Sequence, residues 1–136
     1  MKLFLDTNVL LDIFMRREPY YDASAQVVYA CERGQFTGGF TTLSACNVVY
    51  ALRKQLGNEQ TIEAMRQLVR IIEPIGTSVA SLLQSLENPQ TDFEDTIQSR
   101  CALEWNADSI ITRDKSGFAS CTIPVLTPSD FLLQHL

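Results

Sequence analysis

The first fourteen residues limit the fold more than any other stretch. An apolar run, Leu3-Phe4-Leu5, is stopped by Asp6. A polar pair, Thr7-Asn8, follows, and then Val9-Leu10 and Ile13-Phe14 recur at helical spacing. This is the pattern of a buried strand, a tight turn and an immediate helix. In open α/β sheets ligands bind in the crevice outside the carboxyl ends of the strands. A carboxylate delivered there by the first strand is a site candidate. Asp6 is equally suited to capping the helix that follows it, so its meaning depends on what else reaches the same edge.

The remaining elements alternate. The sequence predicts helices over residues 9–15, 20–33 and 43–56, the last capped by Thr42 and stopped by Gly57. Asn58 caps a further helix to about Ile71, and Ser78 caps one over 79–86. Phe40-Thr41 is a short extended piece, and Ile72-Glu73-Pro74-Ile75, which contains proline, suits only an edge strand or a strand end. Thr91-Asp92-Phe93-Glu94 forms a capping box that opens a helix to Trp105. Ser109-Ile110-Ile111-Thr112 and Ile123-Pro124-Val125-Leu126 read as strands separated by a polar loop. Thr127-Pro128-Ser129-Asp130 starts the closing helix. Alternating strands and helix pairs imply a parallel sheet covered on both faces. At 136 residues the expected organisation is one domain, residues 1–136.

Composition narrows the chemistry. The lone histidine, His135, is penultimate, which argues against histidine-based hydrolysis. Cys31, Cys46, Cys101 and Cys121 form no Cys-x-x-Cys pair, so a structural zinc site is not expected. The first three read as small buried hydrophobes with reduced thiols. The N-terminus does not read as a signal peptide and no run approaches the ~18–20 apolar residues of a membrane span. A cytoplasmic protein without a membrane partner is expected. A net charge of −5 argues against broad electrostatic binding of nucleic acid, although a divalent ion among clustered acids would offset it.

Carboxylates remain as the reactive groups. Asp114 follows the strand 109–112, and parallel strands present their carboxyl ends on one edge. Asp92 and Asp95 are three apart at the start of the preceding helix, hence on one face. Three separate elements, the first strand included, thus send carboxylates to one edge. Such a cluster suits hard cations, Mg²⁺ or Mn²⁺. Each acid also has a plainer role open to it: Asp92 as a helix cap, Asp114 as a turn initiator. Asp95 lies deeper in its helix, beside Phe93 and Ile97, where capping explains it less well. Asp12 and Glu94 are expected to be solvated or capping.

The segments Leu5-Asp6-Thr7-Asn8-Val9-Leu10, Phe93-Glu94-Asp95-Thr96-Ile97 and Ile110-Ile111-Thr112-Arg113-Asp114 resemble the spaced motifs of PIN-domain ribonucleases, including VapC-like toxins. The likeness spans essentially the whole chain. It implies a three-layer α/β/α sandwich with a central, mostly parallel sheet. It further implies a Mg²⁺- or Mn²⁺-dependent endoribonuclease that hydrolyses RNA by metal-activated water. A small antitoxin protein as partner and a homo-oligomer, a dimer through helices, are the corresponding expectations. Asp6, Asp95 and Asp114 match the family's acids and are the expected catalytic and metal residues, with Asp92 as a further ligand. Asn8 matches a supporting polar residue. Two positions depart from the pattern. Asn47 stands where a glutamate is common, and Gly117 stands before Phe118 where Asp is common. Asn47 can still support the site through its carbonyl. One well-held metal is expected, with a second bound weakly or only with substrate. Arg113 and Lys115 are the best candidates to contact RNA phosphate, with Arg16-Arg17 and Arg53-Lys54 behind them. The alternative is a degenerate PIN domain that binds RNA or protein without cleavage. A phosphoryl-transfer fold with an aspartate nucleophile is disfavoured, because Asp6-Thr7-Asn8 lacks a second acid two residues on.

Overall fold

The computed structural model describes residues 1–90 and 92–136. Five strands, β1 (Lys2–Leu5), β2 (Thr37–Thr41), β3 (Glu73–Ile75), β4 (Ser109–Ile111) and β5 (Val125–Leu126), form one sheet in the order β3-β2-β1-β4-β5. Every pairing is parallel. The helices are α1 (Thr7–Phe14), α2 (Tyr21–Glu32), α3 (Thr42–Leu68), α4 (Val79–Glu87), α5 (Phe93–Glu104) and α6 (Pro128–His135). Beginning at β1, the chain builds β2 and β3 to one side and then β4 and β5 to the other. The reversal of strand order falls between β1 and β4, which opens a crevice at their carboxyl ends. Asp6 follows β1 directly, and its amide donates to the Ile111 carbonyl at 3.0 Å.

Alternation along β1 and β4 separates the sequence into two cores. Leu3, Leu5 and Ile111 face α1, α2, α3 and α6, packing with Val9, Leu10, Val27, Val48 and Phe131. Phe4 and Ile110 face α5, packing with Ile97, Cys101, Ala102 and Phe118. The register Phe4↔Ile110, Leu5↔Ile111 keeps like faces together. This is the expected three-layer α/β/α sandwich. Among the described residues no helix is long and apolar enough to cross a membrane.

Most expected boundaries agree to within a few residues, and the differences have local causes. The strand expected at Phe40-Thr41 begins at Thr37, with Gly38 and Gly39 inside it. A Cβ on Gly39 would meet the Trp105 ring and Ile75 Cδ1 at 2.7 Å, so the close approach of β2 to its neighbours needs glycine there. Thr41, not Thr42, caps α3: its side chain accepts from the Ser44 amide, and Thr42 is already helical. The stop at Gly57 is a kink within α3, where φ is 78° and ψ is 165°, and the second stretch ends at Leu68. The proposed box residue Thr91 lies outside the described residues. The observed cap of α5 is Asp92, accepting from the Asp95 amide at 3.1 Å. Strand β5 starts only at Val125 because Pro124 cannot donate; its carbonyl accepts from Ile110 instead, at 2.9 Å. Cys46 is exposed, against expectation, because it faces outward on α3, while Cys31 and Cys101 are buried.

Candidate metal centre

Asp6 is buried at the crevice floor, 6% exposed, and both its oxygens are engaged. Oδ1 accepts from the Thr7 amide at 2.8 Å and Oδ2 from the Thr112 hydroxyl at 2.8 Å. It therefore caps α1 and faces the site at once. Burial raises its carboxyl above the ordinary carboxylate value. Hydrogen bonds from Thr112 and Thr7 oppose this, and the charges of Glu94 and Asp114 add to it. Asn8 ties β1 to the segment after β4: Nδ2 donates to Thr112 Oγ1 at 3.3 Å, and Oδ1 accepts from the Arg113 amide at 3.2 Å.

Beneath Asp6 lies a buried polar network that sequence reasoning missed. Thr41 Oγ1 donates to Gln98 Oε1 at 3.0 Å, Gln98 Nε2 donates to Ser44 Oγ at 2.9 Å, and Ser44 Oγ lies 2.7 Å from Thr7 Oγ1. Gln98 is fully buried. The network joins the starts of α1 and α3 to the middle of α5, so their relative positions are set by directional bonds as well as packing. The one sequence signal was a polar residue at position 98 beside the apolar Ile97 and Cys101.

The opposite wall of the crevice is the first turn of α5. Asp92 caps it and is exposed. Asp95, half-buried, has its carboxyl pushed up to about 7, first by burial and then by the charges of Asp6, Asp92, Glu94 and Asp114. Asp114 caps a 3-10 turn at Lys115–Phe118, its Oδ1 accepting from Ser116 Oγ at 2.6 Å and from the Ser116 amide at 3.2 Å. Asp92, Asp95, Asp114 and Gly117 line a cavity of about 440 Å³. A Cβ at position 117 would stand 1.8 Å from Asp95 Oδ2 and 2.7 Å from its Cγ. Glycine here leaves the space that Asp95 occupies.

One acid differs from expectation. Asp12, expected to be solvated or capping, is fully buried. It receives Arg113 in a two-point pair, Nε at 2.8 Å and Nη2 at 3.0 Å, with Arg17 at 3.9 Å. The pair raises the Arg113 guanidinium above its ordinary value. Arg113 also stacks over Tyr20, 4.3 Å from the ring centroid. Its charge, expected to meet phosphate, is thus answered within the protein. Glu94 is exposed, as expected, and also belongs to the crevice: Asn47 Nδ2 donates to its Oε1 at 2.7 Å, and its charge acts on both Asp6 and Asp95. Asn47 therefore organises an acid from α5. Lys115 is exposed, with no ion pair among the described residues. Arg16 lies over Tyr21 and Arg53 over Tyr50, each engaged locally.

Among the described residues no group of three Asp, Glu, His or Cys side chains stands ready to hold a metal ion. The donor set nevertheless suits a hard divalent cation. It is made of oxygen ligands, and burial together with the neighbouring acids raises the carboxyls of Asp6 and Asp95 where no counter-charge is present.

A parallel sheet with a switch-point crevice walled by acids from β1, α5 and the segment after β4 defines a class of acidic α/β domains. A family model described as "PIN domain" matches residues 2–116, and the chain belongs to that family. It is 29% identical over 135 residues to Ribonuclease VapC1 of Aquifex aeolicus, covering 96% of this chain and 92% of that protein. Among solved structures, it resembles a toxin-antitoxin complex from Klebsiella pneumoniae with a TM-score of 0.64 at 23% identity, covering 93% of this chain and 97% of that one. VapC20 of Mycobacterium tuberculosis, described as a sarcin-ricin loop cleaving toxin, superposes with a TM-score of 0.68 at 10% identity, covering 87% and 94%.

Proposed function

We propose that this chain is a metal-dependent endoribonuclease and the toxin of a toxin–antitoxin pair. The observation that carries the reading is the convergence at the switch-point crevice of Asp6 after β1, Asp92 and Asp95 at the start of α5, and Asp114 after β4, close enough that burial and the neighbouring acids push the Asp95 carboxyl up to about 7. A protein gains no stability from acids placed so that each opposes the other's ionisation. The ribonuclease relative at 29% identity supports the same reading, as does a toxin-antitoxin complex among the structural neighbours, which supports a small antitoxin protein as partner.

Mg²⁺ or Mn²⁺ is the proposed cofactor, with Asp6, Asp95 and Asp114 as the residues that would hold it and Asp92 assisting. When bound, such an ion neutralises phosphate charge and lowers the pKa of water. The chain's own residues do the rest. Thr7 and Thr112 fix the Asp6 carboxylate on both oxygens, so it arrives oriented. Asp95, whose carboxyl burial and the neighbouring acids push up to about 7, is the group whose charge a bound cation would relieve most. Lys115, exposed next to Asp114, is placed to meet a phosphate of the RNA. Hydrolysis by water leaves 5′-phosphate and 3′-hydroxyl ends.

Cleavage of RNA with Mg²⁺ or Mn²⁺, stopped by chelator and by Asp6→Asn, tests this directly. A folded wild-type protein that takes up no Mn²⁺ in calorimetric titration would turn the reading to a PIN domain that binds RNA or protein without cutting.

A further inference from the structure

Beside the acidic crevice lies a second cavity, of about 350 Å³, that the proposed chemistry does not use. Tyr20 and Ser24 form its α2 side, Arg113 its sheet side, and Pro128 and Ser129 the start of α6. The two cavities have no lining residue in common, but the backbone joins them: Arg113 lines this one and Asp114, the next residue, lines the acidic one. Arg113 lies between Thr112, which holds Asp6, and Asp114, and its amide is bonded to Asn8.

Three features describe the occupant. The first is charge. Arg113 reaches the cavity as a cation, but buried Asp12 meets it at 2.8 and 3.0 Å, so the wall offers little net charge to a phosphate. The second is shape. The guanidinium is fixed by that two-point pair with its Cζ over the Tyr20 ring, 4.3 Å from the centroid, and Tyr20 remains 42% exposed. Planar guanidinium and aromatic faces are what unstacked RNA bases rest on. The third is an unused hydrogen-bonding group. Ser24 is fully buried in the cavity wall, and its Oγ has no partner in the protein. Buried hydroxyls are nearly always partnered, and the polar edge of a base would supply what Ser24 lacks. The volume lies at the small end of ligand pockets, ~300–1,000 Å³, which suits one base and not a longer segment.

We propose that this cavity is a nucleobase subsite. It accepts one base of the RNA adjoining the cleaved phosphate, with the Tyr20–Arg113 stack as platform and Ser24 reading the base edge. The subsite rests on the ribonuclease reading for its biological role, but its binding can be measured without cleavage. The full chain, in chelator, is titrated with each of the four nucleoside 5′-monophosphates, followed by calorimetry and by NMR of the residues lining both cavities. Binding at the Tyr20 cavity is expected, tighter for one base than the others. Tyr20→Ala should weaken it about tenfold, the loss of roughly one base–aromatic stack. Ser24→Ala, which breaks no bond within the protein, should leave the melting temperature in place yet reduce binding and the preference among bases. In cleavage of a random RNA pool, Tyr20→Ala should flatten the preference at one position beside the cut.

Several results overturn the subsite. They are no binding of any nucleotide, equal shifts from inorganic phosphate, binding indifferent to both substitutions, or occupation of the cavity by a partner protein's side chain with nucleotides excluded. If wild type cleaves RNA with its base preference unchanged in Tyr20→Ala, the subsite fails and the ribonuclease stands. If no metal-dependent cleavage is seen but nucleotides bind as described, the ribonuclease reading fails and the subsite stands.

Discussion

Asp95→Asn should stabilise the metal-free protein, and the size of the effect follows from the site. The carboxyl titrates near 7 in the fold against 3.8 when unperturbed. Between those values the native state binds more protons than the unfolded chain, so stability falls as pH rises through the window and is recovered on acidification. A difference of about 3 pKa units corresponds to a ceiling of ~4 kcal/mol at ~1.36 kcal/mol per unit. The side chain keeps some exposure, and solvent screening removes half or more of that. Its place in the first turn of α5 returns ~0.3–1 kcal/mol through the helix dipole. The net expectation is that Asp95→Asn is more stable than wild type by ~1–2 kcal/mol at pH 8. That is a rise in Tm of about 4–8 °C for a domain of this size. The advantage should shrink towards zero by pH 5.

The assay is thermal or urea unfolding of both proteins in chelator across pH 5–8.5, repeated with Mn²⁺. Added metal should stabilise wild type strongly and the variant little, reversing their order. A variant less stable than wild type at pH 8 in chelator, by an amount independent of pH, would refute the reasoning. Asp95 would then be an ordinary first-turn acid, favoured by its helix.

Three further substitutions probe the supports of the site. Gly117→Ala puts a Cβ 1.8 Å from Asp95 Oδ2, so the carboxylate must swing away; Mn²⁺ affinity by calorimetry should fall while circular dichroism stays unchanged. Gln98→Leu leaves the Thr41 and Ser44 hydroxyls without their amide partner, which should cost ~1–3 kcal/mol in urea unfolding with the m-value unaltered. Asp12→Ala strands a guanidinium that is now held at two points. Removal of one member of a buried pair costs ~3–5 kcal/mol, and because Arg113 remains about a third exposed, a loss of ~2–3 kcal/mol is expected in the same assay.

The residues that sequence reasoning read well were those whose local pattern carries the information. Leu3-Phe4-Leu5 followed by Asp6 gave a strand end and a cap because periodicity and capping are short-range properties. Pro74 at the sheet edge, Ser78 and Thr127 as caps, and the φ > 0 glycines Gly34 and Gly57 follow the same logic. What escaped was decided by partners far away in the chain. Asp12 looks like a solvent-facing helix position until Arg113, 101 residues on, is folded against it. Glu94 looks like a cap until Asn47 reaches it across 47 residues. Gln98 has no local signature, because its partners Thr41 and Ser44 come from another layer. Thr112 was read as the last residue of a strand, but its hydroxyl holds Asp6 Oδ2.

The two departures from the family pattern, Asn47 and Gly117, are connected through α5. Positions 47 and 117 carry no acid, so that beyond Asp6 and Asp114 the site's negative charge is concentrated in Asp92, Glu94 and Asp95. That is where a helix N-terminus tolerates anions best. Asn47 reinforces this by donating to Glu94, and Gly117 does so by giving Asp95 its space. Restoring an acid at 117 would therefore not simply add a ligand, because its Cβ alone already contests the volume of the Asp95 carboxylate. Asp6, anchored on both oxygens, is the fixed point of the arrangement. The α5 acids form the side whose charge is least compensated. An asymmetry of that kind favours one firmly held cation between Asp6 and α5 over a symmetric pair. Stoichiometry in a Mn²⁺ titration without RNA should accordingly be close to one, and two equal tight sites would contradict it.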